Sequence, residues 1–249
     1  MCLIVVGWRV HADYPLVVAA NRDEFHARPS AAAGFWPGEP DILGGRDLEA
    51  GGTWLGATRS GHFAAVTNVR EPSQPSGRRS RGALTAEFLR SASSPADYAA
   101  NLVLDDYAGF NLLLADNDSL LYLSNRDAEP RPLAPGIYGV SNHRLDTPWP
   151  KLLKARQHFA AALGHLPDPD ACFELLADRA IEPDESLPAT GVPLPWERLL
   201  SAVFVQSADY GTRASSVLLR GKDGSITMFE KNFNSDGQVI QSSVISTSE

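Results

Sequence analysis

Cysteine is scarce in this chain: Cys2 and Cys172 are the only two in 249 residues, and they form no CxxC pair. That excludes the usual cysteine-spaced zinc site and a thioredoxin-like motif. One disulfide could form, but nothing suggests a secreted scaffold, and a reducing cytoplasmic setting is expected. Long apolar runs are also missing, since none approaches the roughly 18 residues needed to cross a bilayer. The apolar N-terminal stretch Leu3–Trp8 has no basic segment before it, and Arg9 and His11 interrupt it. It reads as a buried strand rather than a secretion signal. Positive charge is sparse, the formal net charge being −8. Non-specific nucleic-acid binding, which needs clustered cations facing phosphates, is therefore not expected. The one dense basic run, Arg78-Arg79-Ser80-Arg81, reads as a solvated loop, with an anionic ligand as the alternative.

Apolar residues make up 43% of the chain, enough for one large core. No low-complexity linker divides it, so residues 1–249 are read as a single domain. Leu3–Trp8 and Pro15–Ala20, rich in Val, Leu and Ile, predict a hairpin whose strands are covered on both faces. The second arm runs into the polar cluster Asn21-Arg22-Asp23-Glu24. Residues 28–52, rich in Gly and Pro, read as a long loop, and 72–82 as another. Further hairpins are predicted at Thr53–Thr58 with His62–Thr67, at Gly109–Ala115 with Leu120–Ser124, and at Ser215–Arg220 with Ile226–Phe233. Gly136–Val140 reads as a short strand. Helical signals cover Ala83–Ser91, Ala96–Leu104, 148–163, Asp170–Ala180 and Pro195–Ser201. Helices in pairs between runs of strands argue against a doubly wound sheet. They fit an α+β fold, a four-layer αββα sandwich of two antiparallel sheets.

Cys2 carries the candidate chemistry. Removal of the initiator Met would leave a thiol and a free α-amine on one residue. The amine, with an ordinary pKa near 7.7–8, can take the proton of a thiol whose own lies near 8.5. No histidine base is then required. Read without its neighbours, Cys2 is also simply a small residue starting a buried strand. Acyl transfer further needs preorganised donors for an oxyanion. Asn68 and Asn142 each end an apolar strand and could supply them, or could be turn residues. Arg213 stands just before a strand, where it could pair with a carboxylate. Gly44-Gly45 and Gly51-Gly52 read as turns, and lack the Gly-Lys-Ser/Thr of a P-loop.

The cluster Asn21-Arg22-Asp23-Glu24, directly after a hairpin that begins Met-Cys, resembles the signature of the NRDE, or transport and Golgi organisation protein 2, family. Gly45-Arg46-Asp47, Gly51-Gly52-Thr53-Trp54-Leu55-Gly56, Thr67-Asn68-Val69-Arg70, Gly109-Phe110-Asn111-Leu112, Ser141-Asn142, Leu145-Asp146-Thr147-Pro148-Trp149-Pro150-Lys151 and Tyr210-Gly211-Thr212-Arg213 are similar to further family motifs in order. The likeness covers about residues 1–233. That family in turn resembles the cysteine N-terminal-nucleophile hydrolases acting on penicillin V, bile-acid conjugates and acyl-ethanolamides.

The resemblance implies Cys2 as nucleophile, Asn68 and Asn142 as oxyanion donors, and Arg213, Arg22 and Asp23 beside them. Asn21, Glu24, Arg70 and His143 are expected to contact substrate. The hydrolases carry an Arg and an Asp three residues apart on the second strand, whereas Arg22 and Asp23 are adjacent. Alternation along a strand then predicts that they point to opposite faces unless the backbone bends. Two functions follow from the resemblance. One is cleavage of a non-peptide amide or acyl bond in a small acylated molecule. The other is a non-catalytic carrier of haem, acyl-CoA or lipid. Without a CxxCH motif any haem would be non-covalent. The six histidines show no paired ligand spacing, and no metal is expected.

Overall fold

The computed structural model describes residues 2–72, 77–127 and 129–247. Met1, and part of the predicted 72–82 loop, lie outside them. Two antiparallel sheets form the centre. The first has six strands in the order β10-β1-β2-β11-β12-β13 and the second seven, in the order β3-β4-β5-β6-β7-β8-β9. The first sheet comprises β1 (Cys2–Trp8), β2 (Leu16–Phe25), β10 (Gly136–Val140), β11 (Tyr210–Arg220), β12 (Ile226–Phe233) and β13 (Val239–Ser246). The second comprises β3 (Ser30–Trp36), β4 (Glu39–Asp47), β5 (Leu55–Thr58), β6 (Phe63–Asn68), β7 (Phe110–Ala115), β8 (Leu120–Ser124) and β9 (Arg131–Pro132). The helices are α1 (Arg81–Arg90), α2 (Pro95–Ala100), α3 (Pro150–Ala162), α4 (Asp170–Leu176) and α5 (Leu194–Leu199). None of the described helices is long and apolar enough to cross a membrane.

Side-chain alternation divides the core into three slabs. Ile4, Val6, Trp8, Val18 and Ala20 face the second sheet, meeting Leu55, Phe63, Leu113 and Tyr122. Leu3, Val5, Val17 and Ala19 point the other way, onto Leu152, Phe159, Cys172 and Leu176 of α3 and α4. Ala64, Val66, Leu112 and Leu114 pack beneath Leu84, Phe88 and Leu89 of α1. The layers are therefore helix, sheet, sheet, helix, the αββα sandwich. Strands β1 and β2 are covered on both faces, which is why they carry near-continuous apolar sequence.

Three parts of the reading change. Residues 28–52 are not a long loop but hold β3 and β4. Of the glycines that suggested turns, Gly51 closes one with a φ of 78°, whereas Gly45, within β4, permits close packing: a Cβ there would stand 2.2 Å from the Trp54 ring. Glycine inside a strand marks such an approach. β2 continues through Arg22 and Glu24 to Phe25. β13, with sequence VIQSSVIS, lacks the apolar alternation that would have announced it, and it pairs as an outer strand.

Gly52 brings the loop after β4 against the first turn of α1. A Cβ there would meet the Gly82 carbonyl oxygen at 2.3 Å. Ser80 caps that turn through the Gly82 N–H. Gly52→Ala must push the two backbones apart. Overpacking of this kind costs about 1–3 kcal/mol, and a lowered urea midpoint at unchanged slope is the expected result.

Candidate functional site

A cleft of about 580 Å³ opens at the end of β1, lined by Cys2, Arg22, Asp23, Glu24, Trp54, Asn68, Arg81 and Tyr210 among others. Cys2 pairs directly with Arg22 across the ladder. Opposite residues of an antiparallel pair share a face, so thiol and guanidinium are neighbours. Burial pushes the Cys2 thiol up and the Asp23 charge adds to this, while Arg22 and the Asp23 backbone N–H oppose it.

Arg22 is almost fully buried. Its guanidinium lies over the Trp54 ring at 4.4 Å, and its Nη2 stands 3.6 Å from Asp47 and 4.0 Å from Glu24. Asp23, by alternation, begins on the helix-facing side. The ladder opposite it is irregular: β11 shifts register between Thr212 and Ala214, leaving Arg213 as the extra residue. A bulge of this kind bends its strand, and both Arg22 and Asp23 line the cleft. Asp23 Oδ1 accepts from Thr212 Oγ1 at 2.7 Å, and its carbonyl accepts from the Tyr210 hydroxyl at 3.0 Å. Burial raises the Asp23 carboxyl, and Lys151, Thr212 and Arg70 counter the rise.

Asn68, at the end of β6, lines the cleft while Asn142 lies behind it, fully buried. Asn142 Nδ2 donates to Asn68 Oδ1 at 3.1 Å and to its carbonyl at 3.2 Å. Asn142 thus fixes the Asn68 side chain from behind and does not itself line the cleft. Ser141 Oγ donates to the Cys2 carbonyl at 3.1 Å, and the Ser141 carbonyl accepts from Thr67 Oγ1 at 2.5 Å.

The other expected residues sit elsewhere. Asn21 turns to the helix layer, where its Nδ2 donates to the carbonyls of Leu176 and Val203 and its Oδ1 accepts from Ser215. Arg213 does not line the cleft. Its Nη1 donates to the carbonyls of Phe25, His26 and Arg28 at 3.0–3.2 Å, tying down the β2–β3 turn. Arg70 is buried behind the site and bonds Glu197 at 2.5 Å. His143 is exposed, bonds Thr147 at 2.9 Å and borders a separate cavity of about 330 Å³. Glu24 does line the cleft, and its Oε1 accepts from the Phe25 N–H.

Several lining residues were not among the expected site residues. Trp54 and Tyr210 stood within motifs but carried no assigned role. Arg81 belongs to the basic run that reads first as a solvated loop, and it lines the cleft beside the close Gly52–Gly82 contact. Lys151 lies outside the lining, buried at the start of α3, with Nζ donating to the Leu200 carbonyl at 2.8 Å. Burial lowers its pKa from 10.5 to about 8, opposed chiefly by Asp23. Among the described residues no group of three or more His, Cys, Asp or Glu could hold a metal ion.

Two antiparallel sheets packed face to face and clad in helices make the layered arrangement of the N-terminal-nucleophile hydrolase fold. An N-acylethanolamine-hydrolyzing acid amidase ortholog of Caenorhabditis elegans shares it, with a TM-score of 0.55 over 88% of this chain and 92% of that one, at 12% identity. Residues 1–235 match the family model described as Transport and Golgi organisation 2, and the chain belongs to that family. It is 41% identical to the Bos taurus transport and Golgi organization protein 2 homolog over 88% of this chain and 87% of that protein. With the Homo sapiens homolog it shares 37% identity over the same fractions.

Lys151 gives a test of this buried charge. A lysine whose pKa is lowered from 10.5 to about 8 contributes stability that is fully present above the unfolded value and falls away as pH drops through the folded one. The stability of wild type relative to Lys151→Met should therefore fall between pH 10.5 and about 8 and level off below. Urea midpoints across that range measure it, and parallel curves for the two proteins would contradict the burial of a charged ammonium.

Proposed function

We propose that the chain is a cysteine N-terminal-nucleophile hydrolase, acting on an amide or acyl bond of a small acylated molecule. The observation that carries this reading is that Cys2 and Asn68, whose side-chain oxygen Asn142 holds, line one open cleft. With Met1 removed, the Cys2 amine takes the thiol proton and the thiolate attacks the acyl carbon. The oxyanion that forms is held by Asn68 Nδ2. Collapse breaks the bond to the leaving group, which departs with the proton, and leaves an acyl thioester on Cys2. Water hydrolyses that thioester, releasing the acid and restoring the thiol. Asn142 acts as a positioning residue through Asn68, and Asp23, fixed by Thr212 and Tyr210, faces the amine. Arg213 holds the turn that follows the motif.

The carrier reading has less behind it. No histidine stands among the described residues lining the cleft, so an imidazole-ligated haem does not fit there. Cys2 is the lining side chain with a soft donor atom.

Hydrolysis of a panel of N-acyl amides and acyl thioesters tests the reading, with intact mass confirming loss of Met1. Cys2→Ala should abolish turnover with the fold retained, and Asn68→Ala should lower kcat about 100- to 1000-fold, the usual effect of losing one oxyanion donor. Cys172→Ala should be silent, because that thiol is fully buried in the helix-facing core and pushed up to about 11. Equal rates in wild type and Cys2→Ala, or an active native protein that keeps Met1, would leave the carrier reading ahead.

A further inference from the structure

Two unlike groups of side chains line the cleft beside the carboxylates Asp23, Glu24 and Asp47. Phe25, Tyr210 and Trp196 form an aromatic run, with ring centroids 5.1 and 5.6 Å apart. Arg78, Arg79 and Arg81 form the second group, with Arg22 beside Cys2. Most of the cleft arginines are already engaged. Arg28 bonds Asp47 at 2.7 Å, Arg78 bonds Asp106 at 3.0 Å, and Arg79 pairs with Glu87. Arg81 differs. Among the described residues it has no carboxylate partner, and its Nη1 donates only to the Gly109 carbonyl at 3.2 Å. Arg22 is 5% exposed, its carboxylate neighbours are at 3.6 Å or more, and its Nη1 has no hydrogen-bond partner among the described residues. A buried guanidinium with an idle donor is costly unless something completes it. Both cations act on the Cys2 thiolate. Arg81 also opens α1, whose first turn holds no acidic residue and whose dipole adds positive potential.

We infer that Arg81 and Arg22 form an anion subsite beside Cys2, so that the substrate is an acylated molecule carrying a carboxylate, phosphate or sulfonate close to the scissile carbonyl. The aromatic run takes the apolar part. Arg81 sets this specificity and takes no proton in the reaction. The inference extends the acyl-transfer reading by naming a substrate class, but its test needs no turnover.

The test compares two reagents that differ in charge. Iodoacetate and iodoacetamide both alkylate a thiolate, forming the S–C bond and expelling iodide, and only iodoacetate is anionic. Because both need the same thiolate, the ratio of their rates cancels any change in the Cys2 pKa. In a Cys172→Ala background, the iodoacetate-to-iodoacetamide ratio at Cys2 should be about tenfold higher in the folded protein than in urea, as a focused positive field requires. Arg81→Gln should bring it most of the way to the unfolded value, Arg81→Lys should keep much of it, and Arg78→Gln should leave it unchanged. Inorganic phosphate should protect wild-type Cys2 from iodoacetamide, which needs no variant to fold. An equal ratio in folded and unfolded wild type, an unchanged ratio in Arg81→Gln, or a failure of phosphate to protect would each overturn the subsite. Carboxylate-, phosphate- and sulfonate-bearing N-acyl substrates then separate the three sources of charge by KM. Should the ratio behave as described while no substrate turns over, the subsite stands and the hydrolase reading falls.

Discussion

The antiparallel register that sets Cys2 opposite Arg22 is the constraint on which the site depends. β1 lies between β10 and β2 and is buried on both faces, so its side chains have two destinations only. A slip of one residue would send Cys2 into the helix-facing core and Leu3 into the sheet interface. The register is pinned from three directions. Leu3, Val5, Val17 and Ala19 fill the helix side, Ile4, Val6 and Trp8 fill the sheet side, and Ser141 holds the Cys2 carbonyl itself. The Ser141 carbonyl in turn accepts from Thr67 on the other sheet, and Thr67 accepts from Asn111, whose Oδ1 accepts from Tyr122. A hydrogen-bonded thread thus fixes the spacing of the two sheets where the cleft opens between them.

Beneath the cleft the protein keeps a set of charges out of water. Asp23, Arg70, Lys151 and Glu197 are all buried. The segment from Leu200 to Val205 is tied to this region at three points: the Leu200 carbonyl by Lys151, the Val203 carbonyl by Asn21, and the Val205 N–H by Thr212. Two motif residues therefore hold this segment, and one of them, Asp23, also lines the cleft. Asn21 anchors the segment, and Asp23 shares Thr212 with it. Desolvated charge of this kind survives only when partners are fixed in place, which gives the polar end of an otherwise apolar strand a structural reason to exist.

The alternation of apolar residues, the paired helices and the hairpin signals made the layered fold legible before any coordinates, because burial on two faces writes itself into sequence. Strands β3, β4 and β13 did not show. Their glycines and small polar residues answer to close approach and outer-strand pairing, which leave no periodic trace. At the site, the position of Cys2 and the strand-end asparagines were readable as types in context. The direction each side chain takes was not. Adjacent Arg22 and Asp23 both line one cleft at the point where the register of β11 shifts opposite them, and such a shift leaves no mark in the sequence of β2. Arg213 and Asn21, chosen for their chemistry, are spent on backbone carbonyls. Arg81 lines the cleft beside a glycine–glycine contact between segments thirty residues apart in sequence.

Asn142 donates to both Asn68 oxygens and does not itself line the cleft, whereas Asn68 does. The sense of the Asn68 amide plane is therefore set from behind, by a fully buried side chain. A change at Asn142, out of reach of anything in the cleft, would alter which edge of Asn68 the cleft meets.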